Sequence, residues 1–352
     1  MTDICKKSLA GTPLDFEEIL RILTCSDEDF AIVQKYACAV RGKYVGNVVH
    51  LRGLIEFSNI CTCDCRYCGI RKSNSCVKRY TLSKDDILSA AQFSFDVGYG
   101  SVVLQSGERR DEEFVSFVED VVSAIHKIGN GALGITLSCG VQSKEVYSRW
   151  KNAGANRYLL RIETTDRKLF EQLHPDDDFD ERKAALAGLK AAGYITGTGV
   201  MTGLPGQSAE MLAHDILYFR DLGADMIGLG PYVTHETAVL EEFGIDTPAR
   251  RRERLNWAYR MIAASRLVLK DVNIASATAL SALDPENGRL NGLLSGANVI
   301  MPNTGSAEQR KEYELYANKP ETVESLADIR NSVERAGCTL ELFTQGNPPR
   351  CK

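Results

Sequence analysis

Four cysteines stand within one short stretch, Cys61-Thr62-Cys63-Asp64-Cys65-Arg66-Tyr67-Cys68, and three of them, Cys61, Cys65 and Cys68, are spaced CxxxCxxC. Three thiolates can hold a cluster of four irons and four sulfides and leave one iron with an open position. That iron can chelate the amino and carboxylate groups in the methionine part of S-adenosylmethionine (SAM). An electron passed into the sulfonium would split it into methionine and a 5′-deoxyadenosyl radical. Cys63 interrupts the pattern. Ligand triplets that include it have other spacings, so it reads as a bystander. The competing readings are zinc and plain buried thiols. Zinc takes four tetrahedral ligands in two pairs, and no second CxxC or HxxxH lies downstream.

The rest of the composition is that of an ordinary globular enzyme. Eleven cysteines in 352 residues is a high count, and a reducing compartment makes them thiols or metal ligands rather than disulfides. The first residues, MTDICKKSLAGTPLDFEEIL, lack the basic start and apolar run of a signal peptide. No stretch offers about 18 uncharged apolar residues, so a cytoplasmic protein with no membrane contact is expected. A formal net charge of -5 provides no basic footprint for nucleic acid.

The thiols need a scaffold, and the chain supplies one. From about residue 53, short β-branched runs alternate with longer amphipathic stretches, as βαβ units do. We read strands at Leu54–Phe57, Ser101–Gln105, Gly134–Ser138, Arg157–Ile162, Tyr194–Met201, Asp225–Leu229, Asn273–Thr278 and Asn298–Met301. Helical patterns over Ser83–Val97, Asp111–Lys127, Lys144–Ala153, Phe179–Ala192, Ala209–Leu222, Arg251–Leu269 and Leu290–Ser295 link them. Ser83 suits an N-cap, and Gly98, Gly129, Gly154, Gly193 and Gly223 suit helix stops. The fold class predicted is α/β, a (β/α)8 TIM barrel over residues 51–302. A helical extension over 1–50 precedes it, with pieces at Phe16–Leu23 and Asp27–Arg41. A segment over 303–352, with a final helix and the apolar run Thr339–Phe343, packs on the barrel. An open doubly wound sheet would give the same alternation, but its GxGxxG signature is missing after the first strand.

A barrel of this kind places its chemistry at the C-terminal ends of its strands, where the cysteine motif falls. Strand two ends there in Gln105-Ser106-Gly107-Glu108, and Gly107 would allow close backbone approach. Strand four ends in Arg161-Ile162-Glu163, and the following helix brings Arg182. A carboxylate suits the two ribose hydroxyls of SAM and a guanidinium suits its methionine carboxylate; a rim salt bridge is the plainer reading of each. The run Gly197-Thr198-Gly199 through Gly206 suits backbone approaching a ligand. The roles of Cys63, Cys139 and His235 stay open: Cys139 is a filler unless exposed, and His235 a cap as readily as a ligand.

Taken together these segments resemble the HydE family of FeFe-hydrogenase maturases, in the biotin-synthase-like group of radical SAM enzymes. The stretches that carry the resemblance are IEFSNICTCDCRYCGIR, VVLQSGE, ITLSCG, RYLLRIETTD, GTGVMTGLPGQS, DMIGLGPYVTH, ANVIMPN and RKEYELYANK, spread over residues 55–319. The cysteine motif alone marks only the superfamily, whereas LLRIET, GLPGQ and the tail with YELY are narrower. The resemblance implies one 4Fe-4S cluster on Cys61, Cys65 and Cys68. SAM would be held by Tyr67 near its adenine, by the Gly107 and Glu108 turn at its amino group, and by Ser138, Glu163 and Arg182. Gln105 and Arg161 would be the catalytic residues, in a substrate cavity lined by Thr136, Thr278, Tyr313 and Tyr316.

The same resemblance implies a substrate, a cysteine-bound Fe(CO)2(CN) species made by a partner maturase. The adenosyl radical would attack its cysteine sulfur on the way to the H-cluster of the hydrogenase. Transient contacts with the maturases HydG and HydF and an external electron donor would follow. Some members carry a second cluster just beyond YELY, but here no cysteine follows Asn318-Lys319-Pro320-Glu321 until Cys338, so a single cluster is predicted. The alternatives are a methylornithine-synthase-like or biotin-synthase-like radical enzyme, an iron-sulfur carrier without turnover, and a zinc-binding structural barrel.

Overall fold

The computed structural model describes residues 1–235, 237, 247–306, 312–313, 315–316 and 325–351. Eight parallel strands form its centre. In chain order these are β1 (Val48–Ser58), β2 (Ser101–Ser106), β3 (Gly134–Ser138), β4 (Arg157–Leu159), β5 (Ile195–Thr198), β7 (Met226–Ile227), β9 (Asn273–Ile274) and β10 (Val299–Ile300). Two short strands, β6 (Met201–Thr202) and β8 (Gly230–Pro231), pair with each other above the ring. The strand order is β10-β1-β2-β3-β4-β5-β7-β9. A bridge between Ala275 and Val299 joins the last strand to the first, with Ser276 N donating to Val299 O at 2.8 Å. The barrel is therefore closed, and among the described residues no edge strand of the ring is left to pair with another chain.

Strand β1 is much longer than the predicted Leu54–Phe57, because its polar residues hide it. Val49, Leu51, Ile55 and Phe57 pack outward into the helix-covered core, while His50, Arg52 and Glu56 on the other face are buried inside the barrel. Strand alternation puts charges on the interior face, so the sequence shows no apolar run where a strand exists. The predicted Tyr194–Met201 strand is broken into β5 and β6 at Gly199. A Cβ there would lie 2.0 Å from the Gly228 carbonyl oxygen, so this glycine serves backbone packing between strands rather than ligand approach. The predicted strand over Asn273–Thr278 stops at Ile274, and Thr278 instead opens a helix.

Helices α4 (Lys84–Asp96), α5 (Glu112–His126), α6 (Lys144–Ala153), α8 (Phe179–Ala191), α9 (Ala209–Leu222), α10 (Pro248–Leu269) and α12 (Gly288–Leu294) fall where the periodicity puts them. Ser83 caps α4 by accepting from Asp86 N, and Gly223 ends α9 in the left-handed region at φ 65°. Among the described residues, three α-helices escaped the sequence reading: α1 (Thr2–Leu9), α7 (Arg167–Leu173) and α11 (Thr278–Leu283). Helix α2 (Phe16–Thr24) and α3 (Asp27–Tyr44) form the N-terminal extension with α1, and they pack on α9 and α10. The Trp150 ring is fully buried between α6 and α5, its indole N–H donating to Val115 O at 3.0 Å.

The described part of the C-terminal segment closes the opposite end of the barrel. Helix α13 (Leu326–Arg335) leads to β11 (Thr339–Glu341), which pairs with β1 over Val48–His50. Residues 48–50, assigned to the helical extension by sequence, thus belong to the first strand. Beyond β11 the chain crosses the strand N-termini, where Asn273 Nδ2 donates to Gly346 O at 2.7 Å and Gln345 Nε2 to Gly131 O at 3.1 Å. Among the described residues this segment covers the end of the barrel opposite the cysteines. The stretch Asn318–Glu321, on which the single-cluster expectation rests, lies outside the described residues.

Candidate active site

Strand β1 delivers the chain into the cysteine loop, and the loop is held by its own polar residues. Asn59 Nδ2 donates to Lys78 O at 2.8 Å and Glu312 O at 2.7 Å, and its Oδ1 accepts from Tyr80 N. The Arg79 guanidinium donates to four carbonyls, those of Asn59, Ile70, Arg71 and Asn74, at 2.6–3.2 Å. One planar fork thereby closes a loop that has almost no regular structure. The end of β2 holds it from the other side: Gly107 N donates to Ser58 O, and Thr62 donates through both N and Oγ1 to Glu108 O at 2.9 Å. A Cβ on Gly107 would lie 2.3 Å from Ile60 O and 2.7 Å from Cys61 Cβ. The close approach that requires glycine is thus made by the cysteine loop itself.

Cys61, Cys65 and Cys68 line one cavity of about 370 Å³ at the C-terminal mouth, and Cys63 lines it too. Burial pushes the Cys68 thiol up to about 12 and raises that of Cys65 well above its ordinary value. Cys61 is lowered to about 7, chiefly by its hydrogen bond with Cys63, with Glu108 N 3.4 Å from its sulfur. Burial thus opposes ionisation of two of the three motif thiols, and a bound cation would favour it.

Across the cavity stand groups from the end of β4 and from α8. Glu163 is held at φ 67°, a region rarely occupied by residues other than glycine, by a bond from its N to Gly199 O at 3.1 Å. Arg161 Nε donates to Glu163 Oε1 at 2.9 Å, and Glu163 Oε2 is buried with no partner. Arg182 is ion-paired to Asp177 and donates through Nη1 to Arg161 O at 3.2 Å, while its Nε is buried without a partner. An acceptor and a donor left unsatisfied beside one cavity are costly unless a ligand completes them. A ligand carrying hydroxyls and a carboxylate fits both, and three thiols fit soft metal.

All but one of the other predicted residues line the same cavity. Tyr67, Gln105, Gly107, Glu108, Ser138, Thr278, Tyr313 and Tyr316 all line the cavity with Arg161, Glu163 and Arg182. The Glu108 carboxylate is spent on protein contacts, accepting from Arg110 and, at 2.9 Å, from Val141 N. Thr136 is a correction: it sits deeper on β3 than Ser138, is 1 % exposed, and is not among the lining residues. Cys139 is fully buried, and burial lifts its thiol to about 12, so it is a filler. His235 is outside the lining as well; its Nδ1 meets Thr237 Oγ1 at 2.9 Å, which also accepts from Asn74 Nδ2.

Sequence reasoning missed several residues of the site. Glu56 and Asn303 line the cavity and are bonded to each other at 2.6 Å, hidden by the polar face of β1. Arg79, His174 and Asp177 act on lining residues from behind. The only hint was the density of polar residues in His174-Pro175-Asp176-Asp177-Asp178.

The chain matches known proteins in the same region. Residues 55–219 match the model of the radical SAM superfamily. The FeFe-hydrogenase maturase subunit HydE of Thermotoga maritima is 39% identical over 307 residues, 86% of this chain and 84% of that one. The 3-methylornithine synthase of Methanosarcina acetivorans is 28% identical over 316 residues, 88% of this chain and 86% of that one. Among solved structures, methylornithine synthase (PylB) superposes with a TM-score of 0.82 at 22% identity, covering 97% of this chain and 98% of that one, a likeness of fold.

Proposed function

We propose a function from the premise that the chain belongs to the radical SAM superfamily and, within it, to the HydE family of FeFe-hydrogenase maturases: it works on a cysteine-bound Fe(CO)2(CN) precursor during H-cluster assembly. The protein is a radical SAM enzyme. That family implies a 4Fe-4S cluster and SAM. When bound, they supply an electron to the sulfonium and hence a carbon-centred radical. In our reading Cys61, Cys65 and Cys68 hold one cluster. The free Glu163 oxygen takes the ribose, Arg182 the methionine carboxylate, and Tyr67 packs near the adenine. Gln105 and Arg161 face the substrate, with Thr278, Tyr313 and Tyr316 around it.

The observation that carries this reading is the convergence of three thiols and the unsatisfied Glu163 Oε2 on a single cavity. The substrate is supported by the 39% identity to a HydE protein, and contacts with HydG, HydF and an electron donor are part of the same proposal. We place the reaction in the cytoplasm. No helix among the described residues is long and apolar enough to cross a membrane.

Anaerobic reconstitution with iron and sulfide, followed by SAM and dithionite, tests the enzyme. About four irons per chain and release of 5′-deoxyadenosine are expected. A protein that holds iron but releases none of the nucleoside is a carrier. Complementation of a hydrogenase-producing strain that lacks its HydE maturase tests the substrate, and formation of 3-methylornithine instead would overturn it.

A further inference from the structure

The turn between α7 and α8, residues 173–178, touches the cysteine loop along its length. Leu173 O accepts from Arg66 N at 3.0 Å, and both carboxylate oxygens of Asp176 lie 3.0 Å from Asp64 N. Asp177 in the same turn holds Arg182. Between these contacts lies His174, 1 % exposed, its ring stacked on Phe170 at 4.3 Å and its Nε2 2.9 Å from the Tyr67 hydroxyl.

The tautomer follows from the partners. Nδ1 of His174 lies 3.1 Å from the Phe170 carbonyl oxygen, which can only accept. Nδ1 therefore carries the proton, Nε2 is bare, and the Tyr67 O–H donates to it. Burial keeps the imidazole neutral by lowering its pKa to about 3, so this arrangement holds across the working pH range. The bond runs from the backbone of α7, through the ring, to a tyrosine that lines the cavity and immediately precedes Cys68.

We infer that His174 is a positioning residue: through the Tyr67 hydroxyl it sets the placement of the Asp64–Cys68 arm of the cysteine loop, and with it the SAM site. The inference rests on the reading that this loop holds the cluster. A histidine that merely filled the core would use the Phe170 carbonyl and the stacking contact, and would have no need of Tyr67.

The test uses the reconstituted full-length protein and the variants His174→Phe, which keeps the ring but cannot accept, His174→Gln, which can accept, and Tyr67→Phe. Iron per chain, the electron paramagnetic resonance spectrum of the reduced cluster with and without SAM, and the SAM dissociation constant are measured. Removing either partner is expected to weaken SAM binding about tenfold, as loss of a buried hydrogen bond does, and to alter the SAM-dependent spectral change while iron content holds. The double variant His174→Phe with Tyr67→Phe should be no worse than either single variant, and His174→Gln should recover part of the loss. SAM binding within twofold of wild type in Tyr67→Phe, or effects that multiply in the double variant, would overturn the inference. If His174→Phe does not fold, Tyr67→Phe and His174→Gln decide it alone. Failure of the wild-type protein to take up iron would instead count against the cluster reading.

Discussion

Arg161 Nε donates to one oxygen of Glu163 at 2.9 Å and leaves the other buried oxygen unpartnered. The pair thus presents a fixed acceptor to the cavity, on a backbone held at φ 67°. Strain of about 1–3 kcal/mol at such a residue is maintained only where surrounding structure imposes it. Replacing Glu163 with Gln keeps an acceptor for Arg161 but turns the free position into a donor. SAM affinity measured by equilibrium dialysis is expected to fall at least about tenfold, given the cost of an unmatched polar group, with iron content unchanged.

Arg79 is the staple of the cysteine loop. Arg79→Met leaves four carbonyls without their shared donor, and each one that stays dry costs about 1–3 kcal/mol. We expect thermal unfolding at a lower temperature and reconstituted iron reduced to less than half of wild type, read by melting curves and iron quantitation on the same samples.

Asp215 gives a pH signature. Its Oδ1 accepts from Thr165 N at 2.7 Å and Thr165 Oγ1 at 2.6 Å, its Oδ2 is buried without a partner, and burial raises its pKa from 3.8 to about 7. Between those values the unfolded chain has released a proton that the folded chain keeps, so this group makes stability fall as pH rises from 4 to 7. At about 1.4 kcal/mol per unit the loss is at most roughly 4 kcal/mol. Asp215→Asn should remove that slope, as seen in urea midpoints taken across the window. An unchanged difference between variant and wild type from pH 4 to 7 would contradict the assignment.

Cys63 and Cys65 separate bystander from ligand. Cys63→Ser should leave iron content and the cluster absorbance of the reconstituted protein intact, although its thiol lines the same cavity. Cys65→Ala should abolish both, because two thiolates hold such a cluster poorly.

The sequence by itself determined the chemistry and the class of fold. Spacing of Cys61, Cys65 and Cys68 is a local property, since a three-residue and a two-residue gap let one loop wrap a cluster wherever it is mounted. The alternation of β-branched runs with amphipathic stretches likewise reports each unit's own burial, and so all eight ring strands and most helices were legible. What tertiary structure decided was everything set by a neighbour distant in the chain. The length of β1 was hidden because Arg52 and Glu56 face inward among other strands. Gly107 and Gly199, legible only as close approaches, turned out to meet Ile60 and Gly228. Thr136 looked equivalent to Ser138 until the register of β3 put it one step too deep. His174 and Arg79 carried no motif at all, because a hydrogen bond to another segment leaves no periodic trace in the chain that makes it.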